Sequence, residues 1–123
     1  MASRKIILRC DIPVRDILCA AIREYAHMAY PEGGSECAQV ARYTLLELAA
    51  EINDGISEEK LSVEISKRPK SMVKAALEYY FNRQDEVCGA TSRHQRELFV
   101  SLLSGDAVAR VELEAAVAAD SVS

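Results

Sequence analysis

The amino-acid sequence predicts a mostly helical α+β fold in which short strands alternate with pairs of helices. Apolar and polar side chains alternate strictly at residues 60–66, and residues 5–10 follow the same period, which is that of a strand with one buried face. The segments after each strand carry apolar residues every three or four positions, as amphipathic helices do. The chain is therefore predicted to contain a strand–helix–helix unit, single or duplicated, followed by a C-terminal helix.

The first strand is predicted over residues 5–10. Its core-facing side chains are Ile6, Leu8 and Cys10, and its outward-facing side chains are Lys5, Ile7 and Arg9. Asp11 follows at a helix N-cap position, and the apolar spacing then predicts a helix from Pro13 to Met28. Residues 29–34 predict a loop, after which Ser35 caps a second helix that ends with Gly55 near C′.

The second unit is predicted to repeat this order. Residues 60–66 form a strand with Leu61, Val63 and Ile65 facing the core, and the alternative is the first turns of a helix begun at Ser57. A helix is predicted from Pro69 to Gln84, with a loop over residues 85–90. Thr91 or Ser92 then caps another helix, which Gly105 ends.

The predicted units are residues 1–55, 56–105 and 106–123. Residues 106–119 are rich in Ala and Val and predict a final helix, with residues 120–123 as a frayed tail. A gapless shift of 55 residues places Ile6 on Leu61, Leu8 on Val63 and Cys10 on Ile65. The first two units are therefore either a duplication or a chance match.

The net charge of −4 is spread unevenly along the chain. Residues 1–55 carry 6 basic and 8 acidic side chains, residues 56–104 carry 8 and 7, and residues 105–123 carry 1 and 4. A nucleic-acid-binding protein is usually basic, so this balance counts against such a role unless a small basic ribbon carries it.

Several classes of protein are not expected from this sequence. The longest apolar run is too short for a membrane span, and no signal peptide is recognised, so we expect a cytoplasmic protein with no membrane partner. Cys10, Cys19, Cys37 and Cys88 lack the spacing of a metal site and are expected to be reduced thiols. No phosphate-binding loop, paired acid or catalytic triad is recognised, so neither an enzyme nor a cofactor is predicted.

Residues 4–52 resemble the ribbon-helix-helix family of DNA-binding proteins, of the Arc, MetJ and CopG type. The resemblance rests on the strand Lys5–Cys10, the capping Asp11, the helix Val14–Met28 and Gly33-Gly34-Ser35 before the second helix. It implies that two copies pair their strands into an antiparallel ribbon that enters the major groove. With residues 59–104 as the second copy, the chain would be its own pseudo-dimer, like the tandem TraY-type members.

The resemblance implies DNA contacts on the outward face of the ribbon and at the starts of the second helices. The ribbon candidates are Lys5, Ile7, Arg9, Lys60 and Ser62. The candidate phosphate anchors are Gly34, Ser35, Thr91, Ser92 and Arg93, and Lys67, Arg68 and Lys70 add a basic corner. Such side chains are equally typical of a solvated sheet edge or a polar loop.

The sequence thus predicts a small sequence-specific DNA-binding protein that acts as a transcriptional repressor, an antitoxin or a plasmid or phage accessory factor. Its expected partner is double-stranded DNA, and it could also form a dimer. The alternative is an acidic phage- or plasmid-encoded module that binds a protein and inhibits a host or CRISPR-type defence complex. Val108, Val111 and Ala115 would then form the contact face.

Overall fold

The computed structural model describes residues 5–88 and 92–121, which form five helices and a small three-stranded sheet. The elements are β1 (Lys5–Cys10), α1 (Ile12–Ala29), α2 (Glu36–Gly55), β2 (Ser62–Ser66), α3 (Lys70–Cys88), α4 (Arg93–Leu103), β3 (Ala107–Val108) and α5 (Arg110–Ser121). The predicted mostly helical α+β class is confirmed.

β1 and β2 form an antiparallel ribbon at one side of the helices. Leu8 lies opposite Val63 and Ile6 lies opposite Ile65, and all four side chains are buried. The other face of β1 presents Lys5, Ile7 and Arg9 to solvent. The predicted alternation in β1 is therefore confirmed, because every second side chain enters the core.

The core lies between the inner face of the ribbon and helices α1, α2, α3 and α4. α1 packs against both α2 and α3, whereas α2 contacts β2 and α4 contacts β1. The second helix of each half therefore covers the strand of the other half. Phe81 of α3 and Phe99 of α4 are buried where these two helices pack together, and their ring centroids lie 5.5 Å apart.

The prediction of one helix over residues 106–119 is wrong at its start. Gly105, with a φ of 102°, turns the chain after α4, and Ala107–Val108 pair in parallel with Arg9–Cys10. α5 begins only at Arg110, whose backbone N–H donates to Asp11 Oδ2 at 2.7 Å. Ala107 and Val108 therefore form a strand because the edge of β1 is free to pair with them, although their composition favours a helix.

The contact face predicted for the C-terminal helix needs correction at Val108. α5 buries Leu113 and Ala116, and it packs mainly on α4, whereas Val111 and Ala115 are exposed. Val108 is buried in β3. Asp120 was expected in a frayed tail, but its side chain is only 3% exposed. Residues 122 and 123 lie outside the described part of the chain.

Three further predictions at element ends need correction. Leu61 precedes β2 and is 53% exposed. It lies beyond Ser62, the first residue of β2 paired with β1, although its carbonyl oxygen still accepts a hydrogen bond from Cys10 N at 3.0 Å. α3 continues beyond Gln84 to Cys88, because Arg96 of α4 donates to Asp85 Oδ2 at 2.9 Å and holds this polar turn. Gly55 is the last residue of α2 and has no left-handed conformation.

Gly55 instead allows β2 to approach the end of α2. A Cβ atom added to Gly55 would lie 2.8 Å from Val63 Cβ, which is closer than such atoms approach in proteins.

Within the described residues, no helix is both long enough and apolar enough to cross a membrane.

Candidate nucleic-acid interface

The outward face of the ribbon brings several of the predicted DNA-contacting side chains together. In the strand register, Lys5 lies opposite Ser66, Ile7 opposite Glu64 and Arg9 opposite Ser62. Ile7 is 41% exposed and lies between the two basic residues of β1. The ribbon face therefore offers two cations, one exposed apolar side chain and two hydroxyl groups, with one carboxylate at its centre.

A groove of about 340 Å³ runs along the β1 edge of this face. Its cationic lining residues are Lys5, Arg9, Lys67 and Lys70, and Ile7 and the residues around Gly105 complete it. None of the described residues that line the groove is acidic. Four cations around one groove favour the binding of a polyanion, because their fields add and no carboxylate is among the described lining residues.

Arg9 is held in place by the turn that follows α4. Its Nη1 group donates to the carbonyl oxygen of Gly105 at 2.7 Å. A guanidinium has five N–H donors, so this bond fixes the side chain and leaves other donors for a ligand. No local sequence pattern indicates this role of Gly105, because the contact joins residues far apart in the chain.

Two other predicted basic residues lie elsewhere. Lys60 is exposed in a tight turn, where its N–H donates to Ser57 O at 3.2 Å. Arg68 is exposed as well, but it lines a separate groove between α2 and the start of α3. The structure therefore separates Arg68 from its sequence neighbours Lys67 and Lys70.

The predicted phosphate anchor at the start of α2 is accessible. Gly34 and Ser35 are both exposed, and Ser35 Oγ accepts a hydrogen bond from Ala38 N at 3.2 Å. Ser35 is therefore the N-cap, as predicted. The positive end of the helix dipole is exposed to solvent here, and anions are stabilised at such positions.

The corresponding start of α4 has an internal ligand. The backbone N–H groups of His94 and Gln95 donate to the two carboxylate oxygens of Asp120, at 3.1 and 3.4 Å. His94 Nδ1 lies 2.7 Å from Asp120 Oδ1. The carboxylate of α5 thus occupies the position that a phosphate would take at this helix start.

These contacts affect the ionisation of Asp120. Burial raises the pKa of the Asp120 carboxyl, but the hydrogen bonds from the side chain and backbone of His94 and from the backbone of Gln95 outweigh it. Its pKa therefore lies below the ordinary value, and the carboxylate form is stabilised. Local sequence patterns give no signal for this contact, since it joins residues of two different helices.

The other predicted residues near the start of α4 are differently placed. Ser92 is buried, and its Oγ accepts a hydrogen bond from Arg96 Nε at 3.2 Å instead of capping the helix. Arg93 is exposed and lies 4.0 Å from Glu97. Thr91 lies outside the described residues.

The thiols and histidines of the described chain form no further site. No group of three or more His, Cys, Asp or Glu residues in residues 5–88 and 92–121 is placed to share a metal ion. Burial raises the pKa of Cys10 to about 12 and also raises the pKa of Cys19, so both thiols stay protonated. His27 Nδ1 lies 3.1 Å from Arg42 Nη2 on an exposed surface.

The chain was compared with known families and proteins. No family model matches the sequence, and no similar protein is found among curated proteins or solved structures.

Proposed function

We propose that this protein binds double-stranded DNA through the outward face of the β1–β2 ribbon. The observation that carries the proposal is the groove lined by Lys5, Arg9, Lys67 and Lys70, which has no acidic lining residue among those described. A two-stranded ribbon has the width to enter the major groove, and basic side chains on its face and flank can contact guanines and phosphates.

The arrangement of the two halves supports a tandem ribbon-helix-helix organisation. Leu8 and Val63, which correspond under the 55-residue shift, lie directly opposite each other in the ribbon. α2 packs on β2 while α4 packs on β1, as expected when two like units exchange partners around a pseudo-twofold axis. Residues 1–55 and 56–105 would then be the two half-units of one DNA-binding body.

The two half-units would contact DNA unequally. Lys5 and Arg9 of β1 are positioned to donate to guanine, and Ile7 could contact a thymine methyl group. Ser62 and Ser66 of β2 add hydroxyl groups, whereas Glu64 would repel nearby phosphates. Since Asp120 occupies the start of α4, the start of α2 is the phosphate anchor in this proposal. An asymmetric DNA site follows.

Such binding would suit a transcriptional repressor, an antitoxin or a plasmid or phage accessory factor that acts without catalysis in the cytoplasm. The binding of two chains side by side on a longer DNA site is compatible with it. The alternative is a protein-binding inhibitor of a host or defence complex. Of its predicted contact face, Val111 and Ala115 are exposed and could meet a partner, whereas Val108 is buried.

The test is a salt titration of binding to fluorescently labelled duplex DNA of mixed sequence, followed by anisotropy. The unmodified chain should bind at low salt and lose affinity as salt rises, because phosphate contacts release counterions. The paired change Lys67→Gln with Lys70→Gln should make the slope of log affinity against log salt less steep by about 2, since each lost phosphate contact removes about 0.9.

The matched control is Lys74→Gln with Arg83→Gln, which removes the same charge from exposed positions of α3 outside the groove. This pair should leave the slope nearly unchanged. Equal losses in both pairs would mean that only the overall charge matters and that the ribbon is not the DNA-binding face. Absence of binding to DNA at low salt would reject the proposal.

A further inference from the structure

The outer surface of α2 combines exposed apolar side chains with a groove that is separate from the basic groove of the ribbon. Val40 is 65% and Tyr43 is 63% exposed, and the thiol of Cys37 is exposed one turn earlier on the helix. A groove of about 630 Å³ lies between this helix and the β2–α3 connection. Apolar side chains that line it include Val40, Leu48, Pro69 and Met72.

The charge of this surface is the reverse of that on the ribbon. Glu47 and Glu51 stand one helical turn apart along the groove, and Glu36 and Asp54 are also exposed on α2. The opposite wall carries Arg68. Arg42, the basic residue of α2, is turned towards Glu32 at 3.4 Å and His27 at 3.1 Å. Carboxylates therefore dominate the groove side of α2.

We propose that this groove binds a basic amphipathic helix of a partner protein. Apolar side chains of such a helix would cover Val40 and Met72, while its Lys or Arg residues would pair with Glu47 and Glu51. The groove-lining part of α2 runs from Cys37 to Glu51, or about 21 Å at 1.5 Å per residue, which matches a partner helix of about four turns.

The charges also distinguish this partner from a second copy of the chain. If two α2 surfaces met around a twofold axis, Glu36, Glu47, Glu51 and Asp54 of each copy would face the same carboxylates of the other. The single Arg68 on each wall could offset only part of that repulsion. A basic helix satisfies the carboxylates without this cost.

The groove on α2 and the basic groove on the ribbon have no lining residue in common. A helix bound in the α2 groove would therefore leave the four cations of the basic groove accessible. The inference does not depend on DNA binding, because the contacts that carry it belong to α2 and the β2–α3 connection.

The test uses a synthetic peptide of about 14 residues with leucine on one helical face and lysine on the other, labelled for anisotropy. The full chain should bind it, and the same peptide with glutamate in place of lysine should not bind. Glu47→Lys with Glu51→Lys should weaken binding by about tenfold or more, since two attractive pairs become repulsive. The control Glu58→Lys with Glu59→Lys makes the same charge change in an exposed loop outside the groove.

Cys37 provides a second measurement on the unmodified chain. Its thiol lines the groove, so bound lysine peptide should slow its alkylation by iodoacetamide, followed for each cysteine by mass spectrometry. Equal weakening by the two paired charge changes, or unchanged alkylation of Cys37 at saturating peptide, would overturn the proposal. Sedimentation that showed a dimer broken by Val40→Glu would also overturn it, because the occupant would then be a second copy.

Discussion

The two strand–helix–helix halves differ most at the ends of their second helices. α2 is capped by the adjacent Ser35, whereas the first amides of α4 donate to Asp120 of α5. α2 ends at Gly55 packed closely against β2, while α4 ends before Gly105, whose positive φ turns the chain towards β3. The ends of α2 are therefore stabilised by the neighbouring Ser35 and by packing on β2. The start of α4 is instead stabilised by Asp120 of the C-terminal segment.

Under the proposed function, this difference would make the two halves unequal in their contacts with DNA. A helix start that is capped by its own Ser35 still presents its other amides to solvent, but a helix start that holds an internal carboxylate does not. The comparison can be tested by changing the residues that stabilise the ends of α2 and α4, beginning with the change of largest expected effect.

Gly55→Val should destabilise the fold by about 2–3 kcal/mol, because overpacking displaces β2 from the end of α2. The first added carbon would already lie 2.8 Å from Val63 Cβ. The loss is measured by urea unfolding. In a Val63→Ala background the same change should cost less, since the Cγ2 methyl group of Val63, which is the atom nearest to the added carbon, is gone while Cβ remains. Strict additivity of the two changes would show that the close approach is not what requires glycine.

Asp120→Asn should cost about 1–2 kcal/mol of unfolding free energy near neutral pH, comparable to the loss of a strong helix cap. Hydrogen exchange should quicken at the first amides of α4 and not at those of α2. Asp106→Asn is the matched control, because its side chain is exposed at the turn before β3. Equal effects of the two changes would contradict a specific role for Asp120.

The contribution of Asp120 should also depend on pH with a defined sign. Its folded pKa lies below the value of about 3.9 for an unfolded aspartate, so the unfolded chain binds more protons between the two values. The stabilisation is therefore complete above about pH 4–5 and is lost as the pH falls through the folded pKa. The difference between the unmodified chain and Asp120→Asn should shrink over that range in acid unfolding curves.

Ser35→Ala should have the smallest effect, about 1 kcal/mol or less, because it removes one exposed cap bond. Its unfolding free energy is best measured beside that of Asp120→Asn. The two halves differ in the proposed way if Asp120→Asn costs more. A larger loss for Ser35→Ala would reverse the comparison and make α2 the more dependent helix.

The sequence predicted well those elements whose structure is decided by near neighbours. The alternation in β1, the capping Asp11 and the capping Ser35 all act within a few residues, and each is found where it was expected. The ribbon face was likewise predictable for Lys5, Ile7 and Arg9, because their outward direction follows from the pleat once the inward set is known.

The remaining features depend on contacts between distant residues. β3 is a strand only because the edge of β1 is available, and its two residues have no periodic pattern of their own. The role of Asp120 depends on α5 lying beside α4, and the extension of α3 depends on Arg96 reaching Asp85. The alternation of Leu61 with Val63 and Ile65 likewise does not show that Leu61 lies beyond the last residue pair of the ribbon, Arg9–Ser62.

The central position of β1 has a consequence for folding during synthesis. β1 lies between β2 and β3 in the sheet. Arg9 of β1 can therefore pair only after Ser62, and later Ala107, has been synthesised. As translation proceeds, Ile6 and Leu8 leave the ribosome long before either neighbouring strand exists. Nascent chains that are stopped after α3 should therefore have a paired ribbon with one open edge, and only a chain that has released β3 should close it.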